Sequence, residues 1–288
     1  MQHVIWIGGP SGSGKTTLAR RFAIEHGLRY LGADKLMQAH HARGLGRRYP
    51  AMTRWEELTP DERWLADPAE MADLLRATNG ERWILLLEDV EQLPPVPTVV
   101  EGTPLWPSSV MPLVREPANA IWIFPAPEAQ ERNLATRGGS AHTTTSDPER
   151  AARNRLAREQ IHARRLEQDA LEACAPIVRI ELGDDLDAAY ARLERALLPA
   201  LEGLPVARTG EERFALRRTE NDELAAHLNA FLEERPDLGT AETLTARFAC
   251  ECGAERDFAE VELTLAAYAE AAGGGGRVVA QAHRPASG

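Results

Sequence analysis

The stretch that decides the fold is Val4-Ile5-Trp6-Ile7 followed by Gly8-Gly9-Pro10-Ser11-Gly12-Ser13-Gly14-Lys15-Thr16-Thr17. Its first part is a short apolar run of the kind that forms a buried strand, and the residues after it have helical spacing. Residues 9–16 match the pattern G-x-x-x-x-G-K-S/T, which cradles phosphates when it lies between a strand and a helix. The stretch therefore predicts a phosphate-binding loop, formed by Gly9, Pro10, Ser11, Gly12, Ser13, Gly14, Lys15, Thr16 and Thr17.

Two side chains at the end of this loop carry the expected chemistry. Glycines let successive backbone N–H groups face one anion, and the start of a helix adds a favourable dipole. Lys15 is one of only two lysines in the chain, and we expect it to reach the β- and γ-phosphates of a nucleotide. The Thr16 hydroxyl is expected to bind Mg²⁺. The alternative is a glycine turn followed by a surface lysine.

Apolar runs alternate with helical patterns through the first two hundred residues. This alternation is typical of a parallel sheet with crossover helices. Five strands are predicted, over residues 3–7, 28–31, 98–102, 120–124 and 176–180. The predicted fold class is thus α/β, with a five-stranded parallel sheet sandwiched by helices around a P-loop NTPase core.

Residues 83–93 allow two interpretations. The run Trp83 to Asp89 can form an apolar strand that ends in acids, as in the metal-binding strand of many nucleotide hydrolases. Its apolar residues also fall at helical spacing, with most of the acids on the opposite side. We favour the helix, which would end at the proline-rich run 94–97.

The run Ile7 to Ala19 resembles the opening of the small P-loop kinases, a group that includes nucleoside monophosphate, gluconate, adenylylsulfate and chloramphenicol kinases. The resemblance covers about residues 1–200 and implies ATP and Mg²⁺ as cofactors. In several such kinases an aspartate just beyond the second strand orients the acceptor hydroxyl, and Asp34 matches that position. The alternative role for Asp34, compatible with the first, is an N-cap for a helix over residues 35–40.

Glu101 ends an apolar strand in the run Val-Val-Glu-Gly, which resembles a strand end in the same kinase group. The resemblance implies that this acid holds Mg²⁺ through water or positions the substrate. A charge at the carboxyl end of a strand in an open α/β sheet also lies where ligands bind. The alternative is a loop carboxylate paired with an arginine.

Residues 138–147 form a small, polar stretch between two arginine-bearing helices, which predicts a lid. Lid arginines in the resembling kinases neutralise charge on the transferred phosphoryl group. Arg137 and Arg153 are our first candidates, although most arginines here are expected on solvated helix faces. A basic cluster soon after Asp34 is a candidate acceptor site or only a mobile surface loop: His40, His41, Arg43, Arg47 and Arg48.

We place a domain boundary after residue 203, giving a kinase-like domain over 1–203 and a small α+β module over 204–288. The module is expected to contain a helix over 221–234, strands over 247–251, 260–264 and 277–282, and a helix that ends near 272. Its Cys-x-Cys run resembles a module of high-GC actinobacterial proteins, in which a further cysteine stands where this chain has Asp257. Cys250, Cys252, Asp257 and His283 are a degenerate zinc set, equally consistent with two small buried cysteines on one strand face, so we predict no metal here.

Composition narrows the classes of partner. The net charge of −11 disfavours a broad nucleic-acid surface, which needs clustered positive charge. No apolar run is long enough to span a membrane, and the sequence starts without the features of a signal peptide, so we expect a reducing, cytoplasmic setting.

The expected function is an ATP-dependent phosphotransferase that acts on a hydroxyl of a small molecule, with Asp34 as base and Lys15 and the lid arginines stabilising the transferred group. One alternative is an NTP hydrolase, which the strand interpretation of residues 83–89 would favour. Another is a nucleotide-binding regulatory protein that contacts a protein partner through residues 204–288.

Overall fold

A five-stranded parallel sheet forms the centre of the molecule. The computed structural model describes residues 3–136 and 144–283. The strands pair in the order β2-β3-β1-β4-β5, and every pair is parallel. Their bounds are β1 Val4–Gly8, β2 Arg29–Gly32, β3 Thr98–Glu101, β4 Ala120–Pro125 and β5 Ile177–Ile180. The predicted α/β class and the five predicted strands are confirmed.

Helices cover both faces of this sheet. The helices up to residue 197 are α1 Lys15–Glu25, α2 Met37–Gly46, α3 Pro50–Glu57, α4 Pro60–Trp64, α5 Pro68–Gln92, α6 Pro107–Val110, α7 Pro127–Thr136, α8 Pro148–Glu172 and α9 Leu186–Leu197. The C-terminal segment adds α10 Gly210–Glu234, the antiparallel strands β6 Thr245–Ala249 and β7 Glu260–Thr264, and α11 Leu265–Gly273. Among the described residues no helix is both long and apolar enough to cross a membrane.

The two faces of β1 divide the apolar core. Ile5 and Ile7 pack with α1 and α9, whereas Val4 and Trp6 pack with α5 and α8. Successive side chains of a strand point to opposite faces, so a strand covered on both sides is apolar throughout. This explains why the run Val4 to Ile7 shows no alternation of polar and apolar residues.

The helix predicted over residues 83–93 is confirmed as the second half of α5, and the strand interpretation is wrong. Leu86 and Val90, four residues apart, are buried against the sheet, while Glu88 and Asp89 face α2. The position beside β1 is taken by β3 instead, whose residue Glu101 pairs with Ile7. The acid at the end of the strand next to β1 is therefore Glu101.

Two features of the C-terminal segment differ from the sequence prediction. α10 begins at Gly210 rather than at residue 221, because Thr209 and Glu212 form a capping box there. Residues 277–282 do not form the predicted strand. The backbone N–H of Val278 donates instead to the buried carboxylate of Glu251, at 2.9 Å, which replaces the partner that a strand ladder would supply.

The C-terminal segment packs directly on the edge strand β2. Arg217 of α10 donates to the carbonyl of Leu28 at 2.5 Å, and Glu220 accepts from the backbone N–H of Tyr30 at 2.6 Å. These side chains satisfy backbone groups that an edge strand would otherwise leave unpaired. The boundary after residue 203 stays a prediction.

Candidate active site

The phosphate-binding loop runs from the end of β1 to the start of α1. Gly12 and Gly14 have positive φ angles of 81° and 79°, a conformation that favours glycine. A Cβ atom on Gly9 would lie 2.5 Å from the carbonyl oxygen of Ile123, so the loop also needs glycine for close approach to β4. Gly14 is the N-cap of α1 and provides no side-chain cap. The first backbone N–H groups of α1 are thus available to an anion.

Two amides of α7 hold the carbonyl side of this loop. Gln130 Nε2 donates to the Ser11 carbonyl and Asn133 Nδ2 to the Gly12 carbonyl, each at 2.9 Å. Within the loop the N–H of Ser13 donates to the Pro10 carbonyl and that of Lys15 to Ser13 Oγ, each at 3.3 Å, so the two α7 amides and these internal bonds together hold its shape. The arrangement is what the sequence motif predicts for binding a phosphate chain.

Lys15 and Asp34 face each other across the end of the loop. Lys15 Nζ lies 3.8 Å from Asp34 Oδ2, with the lysine buried and the aspartate side chain 36% exposed. α2 begins only at Met37, its N-cap is Leu36, and no side chain caps it, so the N-cap role for Asp34 is wrong. The Asp34 carboxylate faces Lys15 across the end of the loop and does not turn back to the start of α2.

Asp34 is ionised over the whole ordinary pH range. Burial by itself would raise its pKa, but the charges of Lys15 and Arg82 and the hydrogen bond from Thr103 outweigh that effect and lower the pKa to about 2. Thr103 Oγ1 donates to Asp34 Oδ1 at 2.8 Å. Asp34 is therefore a negatively charged hydrogen-bond acceptor beside Lys15.

Arg82 of α5 was not found by sequence reasoning. Its guanidinium donates to Asp34 Oδ1 at 3.1 Å, to the Ala33 carbonyl at 2.9 Å and to Thr103 Oγ1 at 3.1 Å. In the sequence, Asn79 and Arg82 are two polar residues one helical turn apart. In the structure both are buried. Their burial depends on how α5 crosses the sheet, and the sequence pattern does not carry that information.

Glu101 lies at the end of β3 with only 1% of its surface exposed. Its Oε1 accepts from the Tyr30 hydroxyl at 2.8 Å, and among the described residues its Oε2 has no hydrogen-bond partner. Burial raises the pKa of Glu101, although Lys15 nearby opposes the shift. The arginine-paired loop carboxylate considered above is wrong, since Glu101 belongs to β3 and its hydrogen-bond partner is Tyr30.

The chemistry of Thr16 and Glu101 fits a hydrated Mg²⁺ ion. The carboxylate is within hydrogen-bonding reach of the Thr16 side chain and has one unpaired, buried oxygen. Mg²⁺ prefers oxygen ligands and usually retains several waters. A buried acid with an unused oxygen next to a phosphate-binding loop is the donor set that such an ion needs.

Of the two arginines that the sequence put first, only Arg153 is among the described residues. Arg137 lies outside the described residues. Arg153 has a 68% exposed side chain and lies 3.8 Å from Glu149 on its own helix. Its role in phosphoryl transfer stays a prediction.

Farther along α8, three polar residues are buried beside the loop: Arg158, Glu159 and His162. Arg158 donates to Glu159, and the positive charge of Arg158 lowers the pKa of this buried carboxyl against the effect of burial. Neither nitrogen of His162 has a hydrogen-bond partner among the described residues. Arg158 belongs to the arginine-bearing helix predicted after residue 147, and sequence reasoning missed Glu159 and His162.

His162 packs against an aromatic wall. Its ring lies 5.3 Å from the ring of Trp106, which in turn has the Arg76 guanidinium 3.4 Å from its centroid. Burial lowers the pKa of His162 to about 4, and the cations Arg158 and Lys15 act in the same direction while Glu159 opposes them. His162 is thus neutral at pH 7, with one donor and one acceptor.

Three of the five residues in the basic cluster after Asp34 pair with acids of α5, whereas His41 lies 3.3 Å from Glu56 of α3. Arg43 donates to Asp89 at 2.6 Å and to Glu88 at 2.9 Å, and His40 lies 2.7 Å from Asp89. Arg47 also donates to Glu88. These residues belong to α2 and its end rather than to a surface loop, and their charges bind α2 to α5 instead of facing the cleft.

Similarity to known proteins covers part of this chain. A family model described as "AAA domain" matches residues 4–81, which include the phosphate-binding loop, Asp34 and the first half of α5. Among solved structures, the chain is similar to a crystal structure described as an unliganded sugar kinase from Janibacter sp. HTCC2649. The identity is 22%, the TM-score is 0.35, and the match covers 68% of this chain and 92% of the other. The search of curated proteins found no match.

Proposed function

We propose that this protein is an ATP-dependent kinase that transfers the γ-phosphoryl group to a hydroxyl of a small molecule. The observation that carries the proposal is Asp34, held by Arg82 and Thr103 at the end of the phosphate-binding loop and 3.8 Å from Lys15. Phosphoryl transfer needs a positioned acceptor and charge stabilisation more than covalent chemistry. One fixed carboxylate facing the phosphate-binding lysine supplies the first of these needs.

The donor half of the site consists of the loop, Lys15 and the start of α1. Backbone N–H groups bind the phosphates, and Lys15 binds the β- and γ-phosphates as a point charge. Thr16 and Glu101 would hold Mg²⁺, directly or through water. The ion, when bound, neutralises charge that develops on the phosphate oxygens.

The acceptor half is centred on Asp34. Its ionised carboxylate accepts a hydrogen bond from the attacking hydroxyl, and Arg82 keeps it in place. Nucleotide phosphates compete for Lys15, so ATP binding removes one cation from Asp34 and makes the carboxylate more basic at the moment of reaction. Arg137 and Arg153 of the lid region, and Arg158 on α8, are the proposed cations for the transferred group.

Two other functions remain as alternatives. An NTP hydrolase would activate water in place of an acceptor, but α5 occupies the segment that would have formed its acidic strand. A regulatory nucleotide-binding protein would act on a partner through residues 204–288. We place the activity in the cytoplasm, in keeping with three free cysteines.

The test uses ATP labelled at the γ-phosphate with a library of small hydroxyl compounds. We expect label on a small molecule, with Lys15→Ala and Asp34→Asn each lowering kcat by about 10²-fold or more. Lys35→Ala is the matched control, because this second lysine donates to Glu260 and to the Arg247 carbonyl instead of facing the loop. Label found only in phosphate would favour the hydrolase, and full transfer by folded Lys15→Ala and Asp34→Asn variants would disprove the mechanism.

A further inference from the structure

Four potential metal ligands converge in the C-terminal segment, in a region that contacts α1 through Arg20. They are Cys250, Cys252, Asp257 and His283, and one ligand atom from each lies within 4.8 Å of all the others. We propose that these four side chains bind one structural Zn²⁺ ion. The sequence pattern had been too weak to predict a metal at this place.

The distances between the ligand atoms suit a tetrahedral ion. Asp257 Oδ2 lies 3.0 Å from Cys252 Sγ and 3.1 Å from His283 Nδ1, and Cys250 Sγ lies 3.6 Å from His283 Nδ1. Bond lengths of about 2.0–2.3 Å to zinc place the ligands of a tetrahedron roughly 3.3–3.8 Å apart. These three pairs are within a few tenths of an ångström of that spacing, and the ligand atoms that lie up to 4.8 Å apart would have to approach each other by about 1 Å.

Backbone groups prepare the sulfur and carboxylate ligands for an ion. The N–H of Ala280 points at Cys250 Sγ at 3.3 Å, and that of Ala254 points at Cys252 Sγ at 3.4 Å. The N–H of Ala259 binds the second carboxylate oxygen of Asp257, at 2.9 Å. Donors of this kind orient metal ligands.

A tight turn brings the two cysteines together. Gly253 follows Cys252 with φ 77°, and a Cβ atom there would lie 2.4 Å from the Gly210 carbonyl oxygen. β6 ends at Ala249, so neither cysteine belongs to the strand, and the two do not share a strand face as the sequence allowed. Cys252 and His283 are also partly exposed, which does not suit simple apolar packing.

The ligand types select the metal. Two sulfurs, one imidazole and one carboxylate form a mixed soft and intermediate set, which suits Zn²⁺ and does not suit Mg²⁺ or Ca²⁺. Four protein ligands leave no open position, so the ion would be structural rather than catalytic. Asp257 supplies the ligand at the position where the resembling modules have a cysteine.

The ion would hold the loop after β6 against the helix of the phosphate-binding loop. Arg20 of α1 donates to the carbonyls of Phe258 and Ala259, at 2.8 Å and 3.1 Å. Both carbonyls directly follow Asp257 in the chain. Zinc would therefore join three chain segments, around 250–252, at 257 and at 283, and fix the surface on which α1 rests.

The experiment measures the metal content of the full-length protein, purified without chelators, by inductively coupled plasma mass spectrometry. We expect about one zinc per chain, lost in Cys252→Ser and retained in the control Cys174→Ser, which changes an exposed cysteine outside the cluster. His283→Ala should weaken zinc binding by at least the 10–100-fold that loss of a supporting group costs. Asp257→Cys should keep the zinc, because it restores a common ligand set.

Two further measurements keep the proposal open to refutation. Replacing zinc with Co²⁺ should give the visible absorption of a tetrahedral thiolate site in the wild type and in Cys174→Ser. A chelator should lower Tm in these proteins, since an ion bound only to the folded state stabilises it. If Cys252→Ser does not fold, His283→Ala, on an exposed turn, replaces it. Protein that neither contains nor takes up zinc, or ligand variants that bind it as well as the wild type, would overturn the proposal.

Discussion

The guanidinium of Arg82 holds both the backbone and the side chain of the segment that carries Asp34. It donates to the Asp34 carboxylate at 3.1 Å and to the preceding carbonyl, of Ala33, at 2.9 Å. One side chain from α5 thus fixes where the carboxylate lies and keeps it ionised. In the proposed mechanism Arg82 is a positioning residue, because it acts on the acceptor through Asp34.

Replacing Arg82 tests this relationship. In Arg82→Gln we expect kcat to fall by about 10²-fold through lost positioning. The pKa of Asp34 is lowered to about 2, so removing one cation should raise it and move the acid limb of the pH–rate profile to higher pH. Arg165→Gln, which removes a surface pair with Asp73, is the control. An unchanged acid limb in Arg82→Gln would contradict the assignment.

Replacing Glu101 tests the proposed ion site. Glu101→Gln keeps the size and the bond from Tyr30 but removes the charge, so we expect a higher Mg²⁺ concentration for half-maximal activity and little change in folding. Tyr30→Phe is the matched variant. It removes the hydrogen bond from Tyr30 to Glu101 and leaves the charge of Glu101 in place. Equal Mg²⁺ requirements for Glu101→Gln and wild type would exclude Glu101 from the ion site.

Protonation of His162 should make the fold sensitive to acid. Its pKa is about 4 in the folded protein, against 6.5 for an ordinary histidine, so the unfolded chain binds the proton first. The free energy of unfolding should therefore decrease as pH falls from 6.5 to 4, by at most about 3 kcal/mol. Urea unfolding measures this effect. In His162→Gln the free energy of unfolding should not show this part of the decrease as pH falls, whereas in His41→Gln, a substitution at a partly exposed site, it should. The same acid sensitivity in His162→Gln would refute the prediction.

The close approach of β1 and β4 gives a stability prediction. A Cβ atom on Gly8 would lie 2.2 Å from Nε1 of Trp122, which donates to the Leu105 carbonyl at 2.8 Å. We expect Gly8→Ala to lower the free energy of unfolding by about 2 kcal/mol or more, through overpacking and loss of that bond. Gly80→Ala, on the exposed face of α5 with open space around it, should instead raise it by about 0.5–1 kcal/mol. Urea unfolding compares the two, and a neutral Gly8→Ala would contradict the packing argument.

Local signals predicted much of the fold. The apolar runs that became β1 to β5 are within one residue of their predicted positions, because each is short and apolar and the first four strands are buried on both faces. α5 was correctly preferred over a strand, since its apolar residues have helical spacing. The start of α10 was missed although its capping box was present in the sequence, and the last predicted strand was wrong because Glu251 binds the backbone there.

The candidate site also contains residues that the sequence predicted and residues that only the structure revealed. Residues 9–17 follow from a motif, because a phosphate-binding loop is a local structure, and Asp34 was expected from the resemblance to small P-loop kinases. Arg82, Glu159 and His162 come from α5 and α8, far along the chain, and no local pattern connects them with the loop. The sequence made the basic cluster after Asp34 a candidate acceptor site, but the folded protein pairs charges of this cluster with acids of α5. These pairs form only when α2 packs on α5.

The sequence by itself determined the phosphate-binding loop, the order of the elements and the class of the sheet, since each of these depends on neighbours in the chain. Only the tertiary structure decided which side chains share a cleft, and which cysteines, acid and histidine meet near α1. These contacts between distant segments depend on the angle at which each helix crosses the sheet and on where each turn reverses the direction of the chain. The physical reason is that ligand sets form between segments distant in sequence, where spacing along the chain carries no information about distance in space.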